Sequence, residues 1–216
     1  MNRRDFSTAL LAAATGAPAL LAGSAHAAGP APVDGRDYTR IEPPQSPNVP
    51  AGKVEVLEFF SYACPHCSSF EPTIGPWGRS LPADVVFRRV PVTFLFNAEN
   101  FQKTYYALET LGLVDAMQLK IFSAVHGEKL RLDKPEDIAA LVAKNGGDPA
   151  KFLAAFKSFS VATAVNRAKK LQADYKIESV PVLAVQGRFL TSPSQAGGAP
   201  QSLAVTEALI ERARKG

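Results

Sequence analysis

Apolar positions along this chain change period several times, and the changes divide it into elements. Lys53 to Phe60 is a nearly unbroken apolar run, the pattern of a strand covered on both faces near the middle of an α/β sheet. Glu58 alone stands out from it, a carboxylate that is costly to bury unless it is paired or protonated. Phe70, Ile74, Trp77 and Leu81 then recur at helical spacing. They predict a helix with its apolar stripe on the core and a kink at Pro72. Val85 to Val92 returns to strand character, with Arg88 and Arg89 inside it.

From Asn97 to Phe159 the pattern is helical only. The predicted spans are Ala98 to Leu111, Val114 to Val125, Pro135 to Lys144 and Pro149 to Lys157. Pro135 and Pro149 sit at first-turn positions, Asp148 at an N-cap, and Gly146-Gly147 at a stop. Ser160 is expected to cap a long helix reaching Tyr175. A β-hairpin comes next: Val182 to Val185, a turn at Gln186-Gly187, then Arg188 to Thr191. It is entered through Val180-Pro181, which on the residues alone reads as a strand-start proline, since X-Pro bonds are rarely cis. Ser192 to Pro200 reads as a loop and Leu203 to Arg214 as a closing amphipathic helix. The division implied is an α/β domain from 51–96 and 160–216, with a helical insertion at 97–159.

The ends read differently. Residues 1–27 have a charged start at Arg3-Arg4, a short apolar run from Ala9 to Leu21 and an Ala25-His26-Ala27 cleavage signal. This is an export signal, too short for a membrane span. Asn2-Arg3-Arg4-Asp5-Phe6 gives it twin-arginine character. Export with cleavage near Ala27 places the mature chain in an oxidising compartment, a bacterial periplasm. Residues 28–50 are proline-rich, an extended arm with one short edge strand around Tyr38 to Ile41. Nearly half the residues are apolar (46%), enough for a core, and the formal charge is only +4. Lysines and arginines form no aromatic-interleaved stripe, so nucleic acid is not an expected partner.

The candidate chemistry lies where the first strand meets the first helix. The only two cysteines are Cys64 and Cys67, a Cys-x-x-Cys pair one helical turn apart that can close and reopen a disulfide. Pro65 suits the first helical position, which leaves Cys64 at the helix N-terminus, where backbone N–H groups and the dipole favour a thiolate. Cys67, one turn in, is the more buried resolving partner. His66 can lower the thiol pKa of Cys64 further by charge or hydrogen bond. A low thiolate pKa stabilises the reduced form, each unit adding about 1.4 kcal/mol or about 30 mV of oxidising power. The expectation is an oxidant. Glu58 would act as a proton acceptor or field source near the dithiol, and one of Arg88 and Arg89 could reach it. Zinc would need four ligands, which two cysteines and His26, His66 and His126 supply poorly. A c-type haem is excluded because Ser68, not histidine, follows Cys67. A purely structural disulfide would close too short a ring to stabilise much.

The segment Leu57-Glu58-Phe59-Phe60-Ser61-Tyr62-Ala63-Cys64-Pro65-His66-Cys67 resembles the active-site segment of the DsbA family of periplasmic thiol:disulfide oxidoreductases. The similarity runs through essentially the whole mature chain, with Pro72 at the place of the kinking proline. The resemblance implies a thioredoxin fold with an inserted all-helical domain. It makes Cys64 the nucleophile and Cys67 its partner, and Val180-Pro181 a cis-proline loop that docks substrate peptide. It implies Glu58 as the buried acid near Cys67, with an arginine where the family's type member has a lysine. It further implies a monomer with no bound cofactor or metal. Newly exported polypeptides with free cysteines would be the substrates, and a DsbB-like quinone-linked membrane oxidoreductase would reoxidise the enzyme. A disulfide isomerase or reductase, a non-catalytic exported peptide-binding module and a metal-dependent module are the alternatives.

Overall fold

A computed structural model describes residues 31–216; the expected export signal and the start of the arm lie outside the described residues. Five strands form one sheet. They are β1 (Thr39–Arg40), β2 (Val54–Phe60), β3 (Val85–Pro91), β4 (Val182–Val185) and β5 (Phe189–Thr191), in the order β1-β5-β4-β2-β3. β2 runs parallel to β3 and antiparallel to β4, and the β4–β5 hairpin carries β1 at its edge. All seven residues of β2 are buried, as the apolar run predicts. The run conceals a second acid, because Glu55 is buried along with Glu58.

Strand alternation sends successive β2 side chains to opposite faces, and each face meets its own helices. Val54 and Val56 pack with Phe70 and Ile74 of α1 (Pro65–Ser80) and with Leu203, Leu209 and Ile210 of α8 (Ala199–Arg214). Leu57 and Phe59 meet the helical block instead. That block comprises α2 (Ala98–Thr110), α3 (Val114–Phe122), α4 (Pro135–Lys144) and α5 (Pro149–Phe156), followed by α6 (Phe159–Asp174). A buried aromatic cluster joins it to the end of β2. Phe60 and Tyr62 meet edge-on at 5.3 Å, and Tyr62 in turn meets Phe122 at 5.2 Å and Phe101 at 5.8 Å. Such contacts add about 0.5–1.5 kcal/mol each beyond area burial, so the chain just before Cys64 is anchored from the helical side.

Several boundaries differ from the sequence reading. α1 runs unbroken through Pro72 and Pro76. α3 ends at Phe122 and passes into a π-helical turn, Ser123–Gly127, where the apolar spacing predicts an α-helix to Val125. α6 is capped by Ser158, not Ser160: the Ser158 hydroxyl accepts the Val161 N–H at 3.2 Å, and Phe159 becomes the first helical residue, 88% exposed. The Ser192 to Pro200 loop contains a one-turn helix, α7 (Pro193–Ala196), capped by Ser192, and α8 begins four residues before Leu203. The arm lies along the hairpin turn. Ile41 N–H donates to Arg188 O at 2.9 Å and Gln45 N–H to Gly187 O at 2.8 Å. Gly187 has φ +64°, and a Cβ there would stand 1.9 Å from the Gln45 carbonyl oxygen, so only glycine permits this approach.

Candidate active site

The chain leaves β2 through a tight turn in which Cys64 N–H donates to Ser61 O and Ala63 N–H to Ser61 Oγ, both at 3.1 Å. Cys64 is then the N-cap of α1, in an extended conformation (φ −88°, ψ 116°), with Pro65 starting the helix. Where serine or aspartate usually caps with oxygen, sulfur does so here: Cys67 N–H donates to Cys64 Sγ at 3.2 Å. Both cysteines are free and buried, whereas Pro65 and His66 are exposed.

The two thiols diverge in acidity. Cys64 is held down at about 6 by the hydrogen bond from the Cys67 thiol, helped by the Cys67 and His66 backbone N–H groups and the His66 charge, with burial opposing. Burial, then the hydrogen bond to Cys64, pushes Cys67 far up. The shared proton therefore sits on Cys67, and Cys64 is the thiolate.

The Val180–Pro181 peptide bond is cis, contrary to the base-rate reading and as the resemblance implies. Cys64 Sγ lies 3.5 Å from the Val180 carbonyl oxygen. Beside the pair runs a groove of about 320 Å³ bordered by His66, Phe70, Val180, Pro181, Pro193 and Ala199. A second cavity of about 290 Å³ borders Arg88, Arg89, Tyr105 and Glu109 and touches neither cysteine.

Beneath the dithiol lies a buried charge cluster. The β2–β3 register sets Glu58 opposite Arg89. Arg89 Nε donates to Glu58 at 2.7 Å, and its terminal nitrogen donates to both oxygens of Glu71 at 2.8 and 3.0 Å. Glu58 is 1% exposed and Arg89 8%. Burial raises Glu58 above the usual carboxylate range against the pull of Arg89, and pushes Glu71 up to about 7. The charge of Glu58 also helps raise Cys67. Gln118 of α3 donates to Glu71 at 3.4 Å and accepts from the Tyr62 hydroxyl at 2.6 Å. Arg88 turns to the other face and binds Glu55.

The structure thus brings together all the residues singled out from the sequence: Cys64, Cys67, Pro65 and His66 on α1's first turn, Val180 and Pro181 across from Cys64, and Glu58 below. It adds Glu71 and Gln118, which the sequence reading missed. Glu71 directly follows the core residue Phe70, and its proline-flanked helix gave no sign that this position faces β3. Among the described residues, no three His, Cys, Asp or Glu side chains are grouped to hold a metal ion.

Residues 74–201 match the model of the DSBA-like thioredoxin domain. The chain is 40% identical over 193 residues to the thiol:disulfide interchange protein DsbA of Burkholderia cepacia, covering 89% of this chain and 91% of that one. It is 39% identical over 216 residues to the protein of the same name from Bordetella pertussis, with both chains covered in full. The crystal structure of Pseudomonas aeruginosa DsbA superposes with a TM-score of 0.80 at 37% identity, covering 85% of this chain and 95% of that one.

Proposed function

This chain belongs to the DsbA family of thiol:disulfide oxidoreductases, and we propose that it donates a Cys64–Cys67 disulfide to newly exported proteins in the periplasm. The observation that carries the proposal is the Cys64 sulfur itself, which caps α1 by accepting from Cys67 N–H beside the cis Val180–Pro181 bond. A group so placed is stabilised as an anion, which makes it a good leaving group and its disulfide a strong oxidant.

A substrate thiolate attacks Cys64 Sγ, the Cys64–Cys67 bond breaks, and Cys67 leaves and takes up a proton, as its buried setting favours. The mixed disulfide lies against the Val180-Pro181 backbone, with the substrate chain in the adjoining groove. A second substrate thiolate attacks the substrate sulfur, and Cys64 departs as its stable thiolate. The substrate loses two electrons to the dithiol. His66 favours the thiolate by its charge and backbone N–H, and Pro65 by leaving the helix start open. Glu58, with Glu71, holds a titratable charge below Cys67. A membrane oxidoreductase linked to quinone reoxidises the pair, and no further cofactor takes part. Export depends on the signal in residues 1–27, cut near Ala27.

The rate of alkylation of the reduced protein, followed against pH, tests this reading. It should rise to half its maximum near pH 6. Cys64→Ser should abolish both that reaction and the oxidation of a dithiol peptide, whereas Cys67→Ser, with no disulfide to donate, should lose the oxidation while Cys64 stays open to alkylation. A midpoint near that of a free cysteine, about 8.5, would overturn the reading of Cys64 as a stabilised thiolate.

A further inference from the structure

His126 belongs to neither the dithiol helix, the groove nor the buried charge cluster, yet it touches the segment that presents Cys64. It is carried there by the π-turn after α3. Glu128 N–H donates to Ser123 O at 2.9 Å, a bond spanning five residues, so the turn contains one residue more than an α-helical turn. The added residue rotates the downstream chain by about 100° relative to an unbroken α-helix. The His126 ring then lies along Phe122, centroids 6.2 Å apart, with Nε2 2.8 Å from the Tyr62 carbonyl oxygen.

A carbonyl oxygen only accepts, so Nε2 carries the hydrogen and donates it. Both the neutral Nε2–H tautomer and the cation possess that hydrogen, and the contact does not depend on the charge of the ring. Tyr62 is fully buried, and a buried carbonyl without a donor costs about 1–3 kcal/mol. The side chain of the same residue is held at its far end by Gln118 of α3, which accepts the Tyr62 hydroxyl at 2.6 Å. One continuous piece, α3 with its π-turn, therefore grips Tyr62 by both carbonyl and hydroxyl. Tyr62 also lies inside the turn closed by Ser61 O and Cys64 N–H.

We propose that His126 is a positioning residue for Cys64: its Nε2–H···O=C bond to Tyr62 fixes the peptide leading to the cysteine and so seats the sulfur at the start of α1. The π-turn is the device that aims it. This role rests on Cys64 being the thiolate of the reaction.

The test compares His126→Leu, which removes the donor, with His126→Gln, which keeps a side-chain N–H, in the full mature chain. Two quantities are read: the thiolate absorbance titration of the reduced protein and its equilibrium with the glutathione couple. The leucine variant should titrate about half a unit higher, and its equilibrium should move about three-fold toward the disulfide. The glutamine variant should match the wild type in both. Wild-type titrations from both variants, or equal shifts in both, would overturn the role of His126. A wild-type protein that itself titrates like free cysteine would overturn the reading of Cys64 instead. If neither variant folds, nitrogen NMR of the wild type decides. A neutral His126 bearing its hydrogen on Nε2 supports the bond, and one bearing it on Nδ1 refutes it.

Discussion

Arg88 and Arg89 are neighbours on β3, yet they point to opposite faces of the sheet and meet different chemistry. Arg88, 36% exposed, pairs with Glu55 alone. Glu55 also accepts the Asn48 N–H at 3.1 Å, and its own N–H donates to Gln186 at 2.8 Å, so this pair joins the proline-rich arm to the β4–β5 turn. Arg89 is buried and shared by Glu58 and Glu71. One cation to one anion near solvent is a closed arrangement. One cation to two anions in the interior leaves a net negative charge that the cluster relieves by binding a proton. The count of charges, more than their closeness, separates a fastening from a group that titrates.

Removing the shared cation should have the largest effect. Arg89→Leu leaves two buried carboxylates without a counter-ion and should cost about 3–5 kcal/mol at pH 7. At pH 5, where both can be protonated, urea unfolding should return much of that loss; an equal loss at both pH values would mean that packing, not charge, is at stake. Glu71→Gln comes next. The Glu71 carboxyl is raised from the ordinary 4.5 to about 7 in the fold. The native state thus holds an extra proton between those values, and stability falls as pH rises through them. The glutamine variant should exceed the wild type by about 3 kcal/mol at pH 8, with the gap closing at pH 4.5. A gap that does not vary with pH would contradict the shared proton. The smallest effect belongs to the other face. Glu55→Gln should cost about 1 kcal/mol by loosening the arm, with the Cys64 titration unmoved. Movement there would show that the two faces are not independent.

Much of this was legible along the chain. The period change at Phe60 and the proline after Cys64 gave β2, α1 and the N-terminal seat of the first thiol. Glu58 declared itself as a charge in an apolar run. The choice between Arg88 and Arg89 was not legible, because it depends on the register of two parallel strands 31 residues apart. Glu55 stands near the start of the same run, where spacing alone does not separate a buried acid from one that reaches solvent. Glu71 and His126 act through contacts 18 and 64 residues away in sequence, and no local pattern encodes such distances. In Ser158-Phe159-Ser160, two equally good caps flank an aromatic, and spacing alone cannot choose between them. The cis Val180–Pro181 bond was foreseen only through the family resemblance.

The brevity of β1 has a consequence for how an extended polypeptide can meet this sheet. Any extended segment carries unpaired amides, ready to add itself as one more strand to an open border. Among the described residues, the sheet on that side offers only Thr39 and Arg40, after which Pro43 and Pro44 carry the arm on to the hairpin turn, and prolines have no hydrogen to lend. An extended polypeptide finds too short a template there to zip onto.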